Sequence, residues 1–282
     1  MSWSFYILLS VVTASFIAIL QKVLMKDEHS DPLLNTIALQ FIGALVCFAI
    51  AFARGFITPP FLKYPLNFLI EAILYGFSTV FSFKALKYIE ASKLAVIFSF
   101  GALVSILFSA IFLKEVLTLP VVLGALLIIV AIAIVSGKDA FSLKNKGMSY
   151  ALISCFLGGL ALVNDGYLLR FSEAVSYTAV AFLLPGILLL LLYPKSTMRF
   201  NKILRPGILG KMILLSAVWG VSAIAFYLAI EKGVLVSQIS PISQTRIILT
   251  VLLSAVLLKE RQNLLAKIMA GVLAVAGIML IT

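Results

Sequence analysis

The sequence predicts an all-α membrane protein with ten transmembrane helices, arranged as two inverted five-helix repeats. Of its 282 residues, 63% are hydrophobic and only 12% are charged, and the mean hydropathy is +1.18. A soluble domain carries about 25% charged residues, so lipid rather than water must cover most of this surface. The chain also divides into ten apolar runs, and its two halves resemble each other.

The apolar runs are each about as long as a membrane-spanning helix, which needs roughly 20 apolar residues. Breaks at charged residues, glycine and proline predict five spans in the first half: Trp3–Leu24, Pro32–Ala53, Leu66–Ala85, Ala91–Leu113 and Leu119–Val135. The second half contains Met148–Leu169, Ser176–Tyr193, Leu209–Ala229, Val236–Leu258 and Ala266–Ile281. No basic segment or cleavage site flanks the first run, so it is interpreted as a retained helix.

A shift of about 145 residues brings related segments of the two halves together. Lys114-Glu115 then falls on Lys259-Glu260, and Ser109-Ala110 falls on Ser254-Ala255. We therefore predict two repeats, residues 1–138 and 147–282. Because each repeat has an odd number of spans, the second must enter the membrane from the opposite side. Repeats of this kind commonly enclose a solute site near the middle of the bilayer.

The net charge of +11 reflects membrane topology and not nucleic-acid binding. Nearly all Lys and Arg residues lie in short connections, whereas a phosphate-binding face would gather them on one folded surface. Connections after odd-numbered spans hold about 16 of these residues and the others about 5. The positive-inside rule then places the odd connections in the cytoplasm and both termini outside.

Residues for metal binding or catalysis are scarce. Cys47 and Cys155 each lie inside an apolar run, and the sole histidine, His29, lies in a loop. We therefore expect no disulfide framework, no metal site, no cofactor and no catalytic residue. The chain has no GxxxxGK or HExxH motif, and Gly220-Val221-Ser222-Ala223 only faintly matches a rhomboid-type serine motif that also requires an intramembrane histidine.

The most specific pattern is an acidic residue that closes one span, followed about nine residues later by a glycine in the next. Glu115 with Gly124 fits this pattern within Ala110–Val135. The copy, Ala255–Leu280, carries Glu260 but has Met269 at the glycine position, with Gly271 close by. In these features the chain resembles the EamA-like ten-helix members of the drug/metabolite transporter superfamily.

The resemblance implies solute transport without ATP, with export as the expected direction. Many relatives are thought to have cytoplasmic termini, which is opposite to the orientation that the charge count favours. The proline often found midway along the fourth span is absent, and Phe100-Gly101 and Thr245-Arg246 occupy its place in the two repeats. The first span has no glutamate, so the proton-binding mechanism of the small multidrug members is not carried over.

Ionisable side chains within a span usually face the protein interior and often have a function. A guanidinium such as that of Arg246 binds carboxylate or phosphate in a two-pronged manner. The candidate solute-binding residues are Arg246, Ser243, Gln244, Tyr75, Asn164, Gln40, Trp219 and Tyr227. Asp165 and Glu71 are candidates for binding a coupling proton. In the alternative interpretation Arg246 forms a structural ion pair with Asp165 or Glu71, the two acids reach water at span ends, and the aromatic residues are packing or interface anchors.

The function expected from these features is secondary transport of a small organic metabolite, such as an amino acid or an organic anion. The protein would lie in the inner or plasma membrane as a multi-pass monomer or homodimer. Its partners would be the solute, membrane lipid and protons, and no nucleic acid. Alternatives are a flippase for a lipid-linked substrate, a multidrug exporter of the same fold, or an intramembrane enzyme.

Overall fold

Helices form nearly all of the chain that the structure describes. The structure is a computed structural model, and it describes residues 3–26, 30–113, 119–136, 144–232 and 243–281. In chain order the α-helices are α1 (Trp3–Met25), α2 (Pro32–Arg54), α3 (Pro65–Leu86), α4 (Ala91–Ile97), α5 (Ser99–Leu113), α6 (Leu119–Ser136), α7 (Lys146–Leu168), α8 (Ala174–Leu192), α9 (Pro206–Glu231), α10 (Arg246–Leu257) and α11 (Leu264–Ile281). A 3-10 helix, Pro194–Lys202, joins α8 to α9.

Six of these helices, α1, α2, α3, α7, α8 and α9, are long and apolar enough to cross a membrane. The shorter apolar helices belong to the fourth and fifth spans of each half. Together with the absence of strands from the described ranges, this confirms the predicted all-α membrane fold. His29, Glu115 and the predicted start of the ninth span, residues 236–242, lie outside the described residues.

The fourth span is not one continuous helix, as the sequence predicted for Ala91–Leu113, but two. The chain makes a turn at Phe98 between α4 and α5. There the Gly101 amide donates to the Phe98 carbonyl oxygen at 3.0 Å, three residues back instead of the four of an α-helix. In the second half, Ser243 and Gln244 are helical and the chain turns at Thr245 before α10 begins. Both interruptions lie near the middle of a span, where interrupted helices often border solute sites.

Local capping fixes where several helices begin. The Asp31 carboxylate accepts the backbone N–H groups of Leu33 and Leu34 at the start of α2. Glu173 does the same for α8, accepting from the Val175 amide at 3.0 Å and the Ser176 amide at 2.7 Å. Such side chains satisfy N–H groups that have no partner within the helix.

The helix contacts follow a pseudo-two-fold relation between the halves. Helix α1 packs on α9 as α7 packs on α3, while α2 packs on α8 and α6 packs on α11. The first two contacts exchange when the first and second halves are interchanged, and the last two map onto themselves. This is the arrangement expected for two inverted repeats.

Glycine allows close backbone contacts between helices at two places in the described chain. A methyl group added at Gly159 of α7 would lie 2.5 Å from the Gly101 carbonyl oxygen of α5. One added at Gly277 of α11 would lie 2.7 Å from the Gly124 carbonyl oxygen of α6. Small residues at these points let helix backbones touch, as is common in membrane bundles.

A carboxylate from one half caps a helix of the other half at the end where the odd-numbered connections meet. Glu260 accepts the backbone N–H groups of Ala91 and Ser92, both at 3.0 Å, and the Ser92 hydroxyl at 2.7 Å. Lys267 forms an ion pair with Glu90 beside it. The acidic residue that closes the ninth span therefore joins the two halves. Its predicted counterpart, Glu115, lies outside the described residues.

Replacing Glu260 with glutamine should weaken this junction, because an amide nitrogen cannot accept the hydrogen bonds that a carboxylate oxygen accepts. Hydrogen bonds to charged groups contribute about 1.5–3 kcal/mol, so a loss of that size is expected. Thermal unfolding in detergent measures it, with the exposed Glu231→Gln as control. Equal unfolding temperatures for the two variants would contradict the assignment.

Replacing Glu173 with alanine should cost about 0.5–2 kcal/mol by removing the cap of α8. Burial alone would raise the pKa of Glu173, but hydrogen bonds from Ser176 and Val175 and the charge of Arg54 bring that pKa below its usual value. A carboxyl group whose pKa is lower in the folded than in the unfolded chain stabilises the fold. This contribution is fully present at pH values above the pKa in the unfolded chain, which is about 4.3. The difference from wild type should therefore shrink as pH falls through the folded pKa, and unfolding curves between pH 7 and acid measure it. A difference that stays constant down to that acid range would contradict the role of the ionised cap.

Candidate solute and proton site

Four helices meet at one buried carboxylate. Asp165, near the end of α7, accepts the hydroxyl groups of Tyr75 from α3 at 2.6 Å and Tyr227 from α9 at 2.5 Å through Oδ2. Its other oxygen, Oδ1, accepts the hydroxyl of Tyr177 from α8 at 2.6 Å. Three hydroxyl donors compensate much of the hydration that a buried carboxylate loses.

A second carboxyl group, that of Glu71, lies beside the first and is fully buried. Its Oε2 accepts the Asn164 side-chain amide at 2.7 Å, whereas its Oε1 has no hydrogen-bond partner. Asn164 is itself held by Asn67, which donates to Asn164 Oδ1 at 2.9 Å and accepts from Asn164 Nδ2 at 3.1 Å through its carbonyl oxygen. Glu71 thus lies next to Asp165 with one oxygen that has no hydrogen-bond partner.

The two carboxyl groups have no cation within ion-pair distance among the described residues. The ion pairs found among all described residues are Arg199–Asp31 and Lys267–Glu90, and neither involves these two carboxyl groups. Glu71 and Asp165 are 0% and 1% exposed, so neither reaches water through a span end. Two adjacent carboxylates cannot both remain ionised in such a place without a large electrostatic cost.

Arg246 approaches the same cluster from α10 without pairing with either acid. It is the first residue of α10, half-buried, and lies within electrostatic range of Tyr75. Tyr75 is also half-buried, and its hydroxyl connects this side of the cluster to Asp165. The structural ion pair considered from the sequence is not present. Arg246 and Tyr75 are thus less buried than Glu71 and Asp165.

The remaining predicted residues also lie in the interior. Gln40 of α2 is 4% exposed, and its Oε1 has no partner. Trp219 of α9 makes an edge-to-face contact with Phe182, with ring centroids 6.4 Å apart. Ser243 and Gln244 are buried immediately before α10. Gln40 and Trp219 take no part in the hydrogen bonds that hold the two carboxyl groups within the described chain.

The sequence analysis did not identify two members of the cluster, Tyr177 and Asn67. Tyr177 gave no clear signal, because a lone tyrosine in an apolar span is more often a packing residue. One signal could have found it: Tyr177 follows Asp165 by 12 residues across a short turn, which brings the end of α7 close to the start of α8. Asn67 lies one helical turn before Glu71, on the same face of α3.

Known proteins resemble this chain along its whole length. The family model described as the EamA-like transporter family matches residues 1–137 and again 145–282. A protein of Methanocaldococcus jannaschii described as uncharacterized is 30% identical over 108 residues, which is 38% of this chain and 79% of that protein. A solved structure titled "Crystal structure of protein" has a TM-score of 0.58 at 18% identity, covering 99% of this chain and 96% of its own.

At that identity the solved structure supports the fold alone, whereas the family model covers nearly every residue in two consecutive matches. The double match agrees with the duplication seen in the sequence and with the two-fold pattern of helix contacts. The family consists of transporters and not enzymes. The chain is therefore a multi-pass integral membrane protein and belongs to the EamA-like transporter family.

Proposed function

We propose that this protein is a secondary active transporter that moves a small organic anion together with a proton. The proposal rests on Arg246, which is half-buried, lies within electrostatic range of Tyr75 and forms no ion pair with a described carboxylate. Transport would proceed by alternating access between the repeats 1–138 and 147–282. The family membership supports a small solute and leaves its chemical class open.

The anion part of the proposal follows from the position of Arg246. A guanidinium within a membrane needs a negatively charged or hydrogen-bonding partner, and the planar fork suits a carboxylate or phosphate. Arg246 also begins α10, so the positive end of that helix dipole adds to its charge. Tyr75, the half-buried neighbour, can add a phenol contact to the organic part of the solute.

The proton part follows from charge balance. Two adjacent buried carboxyl groups carry less uncompensated charge when the pair holds one proton. All three tyrosine hydroxyls donate to Asp165. The Oε1 of Glu71 accepts no hydrogen bond, so we assign the proton to Glu71.

The two parts are linked by electrostatics. An anion bound at Arg246 would add negative charge on the side of the cluster that Tyr75 connects to Asp165, and so would favour proton binding by the acidic pair. By thermodynamic reciprocity, a bound proton would favour the anion equally. Anion and proton would then move together without net charge. In export across the inner or plasma membrane, the direction that the family resemblance implies, the solute's own gradient would drive the process.

Replacing Arg246 with alanine should reduce anion uptake by about tenfold to a hundredfold, because a charged hydrogen bond contributes about 1.5–3 kcal/mol. Arg246→Lys should retain part of the activity, since lysine keeps the charge but lacks the fork. The assay is uptake into proteoliposomes of a labelled panel containing pyruvate, succinate, glutamate and neutral amino acids.

The matched control for this assay is Arg170→Ala, which removes an exposed arginine outside the cluster. Uptake of an anion from the panel by wild type and control, with loss in Arg246→Ala, is the expected result. Anion uptake that is unchanged in Arg246→Ala would refute the anion site.

Replacing Glu71 with glutamine should abolish accumulation driven by a pH gradient while leaving exchange of solute for solute intact. Glutamine keeps an oxygen for the Asn164 bond but cannot carry a dissociable proton at this position. The measurement compares gradient-driven uptake with counterflow in the same proteoliposomes, with Glu231→Gln as control. Gradient-driven accumulation at the wild-type level in Glu71→Gln would show that the proton binds elsewhere.

A further inference from the structure

A cavity of about 250 Å³ opens at the end of the bundle where the odd-numbered connections meet. The ends of α1, the start of α2, the 3-10 helix and the start of α9 surround it. Its floor is apolar, formed by Leu24, Leu34 and Ile203, which are at most 6% exposed. It is separate from the acidic cluster, none of whose members lines it.

The rim of this cavity is strongly basic. Lys202, Arg205 and Lys211 line it and are all exposed. The one acidic residue among its described lining, Asp31, caps α2 through Oδ1 and accepts Arg199 at 3.2 Å through Oδ2. Its charge is therefore already compensated, and the three cations have no ion pair within the described chain.

The sequence around the cavity also contains more basic than acidic residues. Between Ala174 and Ile230 the chain contains no Asp or Glu, while five Lys and Arg residues fall between Pro194 and Lys211. Two further polar residues of the lining are neutral: the Asn35 side chain donates to the Ser30 hydroxyl oxygen at 2.9 Å. The acidic residues at positions 27 and 28 lie outside the described residues, so this excess of positive charge is that of the described lining.

The surroundings of the cavity suit a lipid better than a soluble ion. Lys211 lies one helical turn before Leu214 on the same face of α9, and Leu214 is 52% exposed. Leu204, between Lys202 and Arg205, is 63% exposed. In a membrane-spanning chain, apolar side chains that are exposed on the outer surface of the bundle contact lipid acyl chains. A ligand with a charged head and an apolar tail would satisfy the rim and this face together.

We infer that this cavity binds the phosphodiester headgroup of an anionic phospholipid, with Lys202, Arg205 and Lys211 on the headgroup and an acyl chain along the face that contains Leu214. Basic pockets between transmembrane helices are known to take such headgroups. The shared chemistry, a phosphate oxyanion, could also come from inorganic phosphate in solution. The apolar floor and the adjoining face favour the lipid source.

The experiment uses the full chain purified in neutral detergent, to which phosphatidylglycerol, phosphatidylcholine or inorganic phosphate is added. The unfolding temperature and the number of lipids retained in native mass spectrometry are measured. Phosphatidylglycerol should raise the unfolding temperature and remain bound, because a ligand that binds only the folded state stabilises it. Inorganic phosphate and phosphatidylcholine should do neither. An equal effect of inorganic phosphate, or of phosphatidylcholine, would overturn the proposal.

The triple change Lys202→Gln, Arg205→Gln and Lys211→Gln should weaken phosphatidylglycerol binding about a hundredfold, given about 1 kcal/mol for each basic residue. The control replaces Lys144, Lys146 and Lys259 with glutamine, removing the same charge from exposed positions outside the cavity. The single changes Lys202→Gln and Lys211→Gln, each expected to cost about fivefold, provide the test where the triple variant does not fold. Wild-type binding by these variants, or an equal loss in the control, would overturn the assignment.

Discussion

Two carboxyl groups buried inside a bundle that lipid surrounds determine how four of its helices pack together. Asp165 is tolerable at 1% exposure because three hydroxyl groups, brought by three other helices, point at its two oxygens. This requirement fixes how α3, α8 and α9 sit around the end of α7. The same four helices thereby enclose Glu71 and leave one of its oxygens without a partner. Folding and the proposed proton chemistry thus rest on one set of hydrogen bonds.

The helical scaffold is duplicated, but the charged residues of the cluster have no charged counterparts in the other repeat. With the offset of about 145 residues, Glu71 corresponds to Ser216, Asp165 to Leu20, and Arg246 to Gly101. The helix contacts are nevertheless paired across the halves. Two similar repeats therefore supply a symmetric framework, and single substitutions within it create one polar cluster. This division suits the proposed carrier, which would adopt two related conformations around one asymmetric solute site.

Much of the framework could be predicted from the sequence, because long apolar runs have few alternatives in a membrane. The buried ionisable residues were also evident, since Arg246, Asp165 and Glu71 stand out against an apolar background. The way in which these residues are brought together could not be predicted from the sequence, because it depends on contacts between distant parts of the chain. The hydrogen bond from Tyr227 to Asp165, for example, joins residues 62 positions apart. The break at Phe98 was missed for a different reason: it occurs without proline, the residue that most clearly signals an interruption.

The backbone contact between Gly101 and Gly159 has a consequence for how such a molecule can move. It joins α5 to α7, just after the turn at Phe98, while α4 on the other side of that turn is held to the ninth and tenth spans through Glu260. Each half of the broken fourth span is thus attached to helices of the opposite repeat. Under the proposed alternating access, the bodies that move would accordingly mix helices from both repeats, with the turn at Phe98 between them.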